Sequence, residues 1–236
     1  MQSKGKLYLL PTPLGEQGQH TIPLYVAELI HQLSVFIVEK AKTARRFIKS
    51  TGHPTPISEL TFLELNKRIP SDEWRQYLQA ANKGTNIGLL SEAGCPGVAD
   101  PGAEIVKLAH QQGIEVIPLV GPSSILLALM GSGMNGQQFA FHGYLSPKKE
   151  LLPKDLKRLE ANAKKLHQTQ IFIETPYRNR QMVEQALKHL SNGTLFCIAM
   201  DLTLPNQYIK SQSIAAWKKT NLPDIHKKPA VFLIGV

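Results

Sequence analysis

Several short segments carry residue types suited to gripping a small ligand with main-chain atoms. They are Pro11-Thr12-Pro13-Leu14-Gly15-Glu16, then Glu39 with Lys40, Lys42, Arg45 and Arg46, then Ser91 through Gly102 (S-E-A-G-C-P-G-V-A-D-P-G), and Gly121-Pro122-Ser123-Ser124. Each follows a predicted strand. The C-terminal ends of parallel strands are where ligands of open α/β sheets sit, because backbone amides and helix N-termini are free there. Glycine, alanine and serine let a ligand come close to the chain, so four such loops in succession point to a backbone-lined pocket. In the second half, Glu174-Thr175-Pro176-Tyr177-Arg178 holds the corresponding position.

Other chemistries fit less well. Gly131-Ser132-Gly133-Met134-Asn135-Gly136 matches the G-x-G-x-x-G of dinucleotide sites, but that motif needs a strand before it and a helix after it. Here a predicted helix precedes the glycines and a strand follows, so the segment reads as a helix C-terminus and turn. No Walker-type loop follows any strand. The eight histidines show no metal-ligand spacing, and no metal site is expected. Cys95 has no neighbouring His or Lys in sequence to activate it and reads as a small loop residue. Asn192-Gly193-Thr194 reads as a turn.

The elements that must hold these loops follow from hydrophobic periodicity. Lys6–Leu10, Val35–Val38, Thr85–Leu90 and Ile114–Leu119 are predicted strands. Between them come helical patterns at Leu24–Leu33, through Arg45, Arg46 and Lys49, at about Asp72–Lys83 and at Ala103–Gln112. That rhythm predicts a mostly parallel sheet covered on both faces. After a helix at Ser123–Met130 the pattern changes. Strands are expected at Phe139–Tyr144, Gln170–Glu174, Thr194–Met200, Tyr208–Ile209 and Val231–Ile234, the last two antiparallel, with helices at Lys148–Leu166 and Tyr177–Leu190. The fold class is therefore two-domain α/β: an N-terminal domain over 1–118, and a C-terminal domain over 119–236 with a mixed sheet.

Length and composition agree with this. The chain has 236 residues, 42% apolar and 19% charged, which excludes disordered, collagen-like and coiled-coil classes. Two cysteines cannot form a disulfide framework, no secretory signal is visible, and the most apolar window, Ile114–Met134, is broken by Glu115, Pro118 and Pro122. A cytoplasmic protein outside the membrane is expected. The formal charge of +9, from 27 Lys and Arg against 18 Asp and Glu, favours an anionic partner. Lys148, Lys149, Lys154, Lys157, Arg158, Lys164 and Lys165 dominate one helix, and Lys40, Lys42, Arg45, Arg46 and Lys49 form a second basic group.

In order and spacing these motifs resemble the tetrapyrrole-methylase superfamily of S-adenosylmethionine (SAM)-dependent methyltransferases. The nearest branch methylates the ribose 2′-hydroxyl of a cytidine in small-subunit ribosomal RNA and is marked by P-T-P-[IL]-G, S-D-A-G-T-P-x-x-x-D-P-G, G-P-S-A and E-S-P-H-R. Pro11–Gly15, Ser91–Gly102, Gly121–Ser124 and Glu174–Arg178 match in order, nearly end to end. The chain departs from the branch in its charged positions. Glu39-Lys40-Ala41-Lys42 stands for E-D-T-R, Ala199-Met200-Asp201-Leu202-Thr203-Leu204 for A-R-E-L-T-K, and Tyr177 for His. Glu92 and Cys95 replace Asp and Thr.

The resemblance implies SAM held in a cleft between two domains by Leu14, Gly94, Gly97, Ser123, Ser124, Met200 and Ala230. Glu39, Glu174 and Asp201 are then the candidate acids or bases, and ribosomal RNA or the small ribosomal subunit is the partner of a homodimeric enzyme. A tetrapyrrole or other small acceptor, or SAM binding without turnover, are the alternatives the changed charges leave open.

Overall fold

The computed structural model describes residues 3–65, 70–148 and 150–236. The chain forms two compact units, Met1–Ser123 and Ser124–Val236. In the first, the elements run β1 (Leu7–Leu10), α1 (Leu24–Ile30), β2 (Val35–Val38), α2 (Ala41–Ser50), β3 (Thr61–Glu64), α3 (Gln79–Asn82), β4 (Ile87–Leu90), α4 (Gly102–Gln111) and β5 (Val116–Pro118). All five strands pair in parallel in the order β3-β2-β4-β1-β5.

Alternation along the strands explains why both faces are covered. In β1, Leu7 joins a core with Ile37, Leu78, Leu89, Ile105 and Leu108, while Leu10 joins another with Val26, Ile30, Phe36 and Ile48. Central β4 is buried throughout, and its Gly88 is where three side chains crowd in. A Cβ there would lie 2.6 Å from Leu10 Cδ1 and 2.9 Å from Phe36 Cδ1.

Two features differ from the sequence expectation. β3 has only the four residues T-F-L-E, partly exposed and too short for a periodic signal; it exists because β2 supplies its ladder, Val35–Val38 against Thr61–Glu64. The helix expected at about Asp72–Lys83 is a 3-10 segment, Ser71–Leu78, that tightens into one α-turn at α3.

The second unit runs α5 (Ser124–Ser132), β6 (Phe139–Tyr144), α6 (Leu152–Leu166), β7 (Thr169–Glu174), α7 (Asn179–His189), β8 (Leu195–Met200), β9 (Tyr208–Ser213), α8 (Ile214–Trp217) and β10 (Ala230–Gly235). Its sheet has the order β6-β7-β10-β8-β9; β6 is parallel to β7 and the remaining pairs are antiparallel. One face packs under α6, α7 and α8 around Phe172, Phe196, Phe232 and Trp217. α5 takes the opposite face, where Gly131 leaves room for Ile209. α6 begins at Leu152 with Pro153 in its first turn, later than its basic run in sequence; Lys149 lies outside the described residues.

The segment Ile114–Met134 resolves into β5, a loop and α5, and among the described residues no helix is long and apolar enough to cross a membrane. α5 precedes Gly133, whose φ is +68°, so the G-x-G-x-x-G segment is a helix end.

Candidate functional site

Because every strand of the first sheet runs the same way, the loops after β1, β2, β4 and β5 all leave the same edge. Three of them interlock. Thr12 N donates to Gly94 O and Gly94 N to Thr12 O, both at 3.0 Å, a single antiparallel bridge that staples the β1 loop to the β4 loop. Gly94 has φ +78°, a region that side-chain-bearing residues enter only at a cost. A Cβ built there would lie 3.2 Å from Leu14 Cδ2 and 3.4 Å from Pro122 O. One bare Cα thus faces Leu14 and the loop that carries Ser123. Cys95 closes the same corner, its Sγ 3.4 Å from Pro122 O, and burial pushes this thiol up from its ordinary value.

The far end of the β4 loop is knotted by Asp100. Its carboxylate accepts from Gly97 N at 2.9 and 3.0 Å and from Gly102 N at 2.6 Å, fixing Gly97 and the N-terminus of α4. Burial pushes the Asp100 carboxyl up, and the amides of Gly97, Gly102 and Val98 pull it partway back. Glu39, at the end of β2, accepts from Glu92 N at 2.9 Å. Burial raises its proton affinity, the Glu92 amide and Lys40 oppose that, and the nearby Asp100 and Glu92 carboxylates add to it. Glu92 is itself held by Thr43 Oγ1 at 2.5 Å and Lys40 Nζ at 3.1 Å. The first unit therefore brings together Leu14, Gly94 and the Pro122–Ser123 turn at one corner. Gly97 and Glu39 sit on the Asp100–Glu92 side.

The second unit gathers its residues by register. Ala230 opens β10 opposite Glu174, the last residue of β7, and opposite Met200, the last of β8, which in turn pairs with Tyr208. Asp201 follows Met200 directly, its amide donating to Pro229 O at 3.1 Å. Ser124 stands apart in sequence terms, as the first residue of α5. Glu174 is buried, accepts from Thr175 N at 2.7 Å, and lies 2.9 Å from Arg178 Nη2, an ion pair without hydrogen-bond alignment. Asp201 pairs with Lys228 Nζ at 3.4 Å.

Backbone strain concentrates around these loops. Ala99, Asp201, Thr203 and Lys227 have φ of +62°, +49°, +69° and +59°. Among the described residues Thr203 also keeps a buried hydroxyl with no hydrogen-bond partner. Sequence reasoning singled out neither the Asp100 knot nor Thr203 and Lys228. The D-P-G ending of the β4 loop signalled the first; the others are marked only by their neighbours in space. Among the described residues no group of His, Cys, Asp and Glu could hold a metal ion.

No family model matches the chain. Ribosomal RNA small subunit methyltransferase I of Synechocystis sp. is 31% identical over 199 residues, 84% of this chain and 67% of that protein. The protein of the same name from Vibrio cholerae is 30% identical over 209 residues, 89% of this chain and 69% of that one.

The chain belongs to the ribosomal RNA small subunit methyltransferase I family.

It spans 64% of the length of the Bacillus subtilis member, which is 31% identical to it. The fold of this family member is that of the methyltransferase CobJ, with TM-score 0.64 and 19% identity across 98% of this chain and 94% of that one. Uroporphyrin-III C-methyltransferase from Thermus thermophilus shares it too, with TM-score 0.58 and 16% identity over 98% and 97%. The resemblance to a ribosomal RNA methyltransferase branch read from the loop motifs holds through these relatives, and the two-sheet α/β architecture read from the sequence is the one observed.

Proposed function

We propose that this protein transfers the methyl group of SAM to the 2′-hydroxyl of a ribose in small-subunit ribosomal RNA. The carrying observation is the corner where Leu14, Gly94 and Pro122 meet: a glycine cradle that any side chain would fill, on the ligand-binding edge of a parallel sheet. Membership of a family named for small-subunit ribosomal RNA methylation supports the acceptor. We assign the cofactor contacts to Leu14, Gly94, Gly97 and Ser123 in the first unit and to Ser124, Met200 and Ala230 in the second.

SAM supplies an activated methyl group: the carbon–sulfur bond breaks as a carbon–oxygen bond to the acceptor forms, and sulfur keeps the electron pair as a neutral thioether. The protein's task is then to position the acceptor and take its proton. Among the three candidate carboxylates, Glu174 and Asp201 are each occupied by a cation, Arg178 and Lys228. Burial raises the proton affinity of Glu39, and we assign it the general-base role. The exposed Lys154, Lys157 and Lys165 of α6 suit phosphate contacts. The working form in this reading is a cytoplasmic homodimer, an assignment resting on the superfamily resemblance and on two free cysteines. Light scattering on the purified protein tests the dimer.

Tritiated methyl transfer from SAM into small ribosomal subunits, followed by nucleoside analysis, tests the function. Label in a 2′-O-methylnucleoside is the expected result. No label in the subunits despite SAM binding, or label only in a porphyrin or corrinoid precursor offered in a parallel reaction, overturns it.

A further inference from the structure

The loop after β7 and the loop before β10 are built as one rigid piece. Asn179, fully buried at the start of α7, donates its side-chain amide to Ile225 O at 3.3 Å and to Lys228 O at 2.7 Å. Lys227 N donates to Pro176 O at 3.1 Å. Lys227 itself sits at φ +59°, a conformation that a residue with a side chain holds only when its surroundings impose it. The outcome of all this fixing is a pair of side chains turned to solvent. Tyr177 is 73% exposed, and Lys227 Nζ stands 5.8 Å from its ring centroid.

The charges around the pair are unequal in their freedom. Arg178 is paired with Glu174 and Lys228 with Asp201, so both are committed to the loop frame. Asp224 accepts from His226 N at 3.2 Å. Lys227 lies against the aromatic ring, with no carboxylate partner among the described residues. An exposed aromatic face held on a stiff backbone beside an ammonium group is the pattern by which single-stranded nucleic acid is held: a base stacks on the ring and the cation meets a phosphate. The net charge of +9 favours a polyanion over a protein partner. The location agrees, since Tyr177 follows Glu174, which is in register with Ala230 and thereby joined to Met200.

We propose that Tyr177 and Lys227 form a stacking platform for an unpaired base of the acceptor RNA, so that Tyr177 is a positioning residue for the nucleotide to be methylated. The proposal rests on the RNA-acceptor reading above. Its test is direct: anisotropy titration of a short, fluorescein-labelled single-stranded oligoribonucleotide with the full protein, beside calorimetric titration with SAM.

Replacing Tyr177 by Ala weakens the oligonucleotide by about 5- to 100-fold, while Tyr177→Phe stays within about twofold, because the ring face and not the hydroxyl does the stacking. The slope of log affinity against log salt is unchanged by Tyr177→Ala and falls by about 0.7 in Lys227→Gln. SAM affinity and the melting midpoint stay at wild-type values in Tyr177→Ala, since the side chain contributes little to any core. With subunits as substrate, Tyr177→Ala raises KM and Tyr177→Phe restores it.

Two outcomes overturn the platform alone. One is a wild-type protein that methylates subunits, with Tyr177→Ala matching it in oligonucleotide affinity and KM. The other is a Tyr177→Ala variant that loses SAM and keeps RNA, which would make the ring part of the cofactor site. A wild-type protein that binds no oligoribonucleotide and methylates no subunit overturns the RNA reading as well.

Discussion

Gly94 is the most exacting point at which to perturb the proposed cofactor site. Its φ of +78° costs any L-residue about 1–2 kcal/mol, and the added methyl of Gly94→Ala meets Leu14 Cδ2 at 3.2 Å and Pro122 O at 3.4 Å. Leu14 must shift by a few tenths of an ångström to admit it, while Pro122 O is left at ordinary contact distance. A total destabilisation of about 2 kcal/mol follows, or a fall in melting midpoint of roughly 4–8 °C for a chain of this size. Gly52 supplies the control. It has the same φ of +78°, at the end of α2, with nothing within 4 Å of a built Cβ. Gly52→Ala therefore carries the backbone cost without the intrusion. Calorimetric titration well below both midpoints should show Gly52→Ala binding SAM like wild type, Gly94→Ala about tenfold weaker, and Gly94→Trp not at all. Wild-type affinity in both Gly94 variants would refute the cradle. Equal losses in Gly52→Ala and Gly94→Ala would refute it too, by tracing the effect to stability alone.

Other outcomes follow from the charged groups. Glu39, with proton affinity raised by burial, stabilises the fold most when protonated; that contribution is present at low pH and lost as pH rises through its raised pKa. Glu39→Gln should therefore raise the melting midpoint at pH 7.5 relative to wild type, with the gain vanishing near pH 4, and should lower kcat by about 100-fold at unchanged SAM affinity. Glu160 is the opposite case. Burial pushes its carboxyl up, but Thr194, Ser191 and Lys164 outweigh that and hold it below the ordinary range. Its contribution is present above the unfolded pKa and lost as pH falls through the depressed one. Glu160→Ala, which strands the Ser191 amide and Thr194 hydroxyl, should cost about 2–3 kcal/mol by urea denaturation at pH 7, and less on acidification. In α6, the double variant Lys157→Gln, Lys165→Gln should lower the salt slope of RNA binding by about 0.7–0.9 for each phosphate no longer neutralised; an unchanged slope places the RNA elsewhere.

Much of this protein is determined locally, and the sequence by itself carries it. Strands such as Val35–Val38 and Phe139–Tyr144 have the bounds that their apolar runs predict, because hydrophobic period and flanking turns act within a few residues. The same holds for the composition of the strand-end loops, whose Gly, Pro and Ser content announces close backbone approach wherever the loops come to lie. What sequence could not carry is anything requiring two distant segments at once. β3 forms through its ladder to β2, and the Thr12–Gly94 bridge joins loops 82 residues apart in the chain. The elevated proton affinity of Glu39 arises from burial beside Asp100 and Glu92, which only the sheet order β2-β4 makes neighbours. Tyr177 and Lys227 are 50 positions apart in number, brought within cation–π reach by the buried amide of Asn179. Desolvation and Coulomb interaction depend on distance in space, not along the chain, and tertiary packing alone sets that distance.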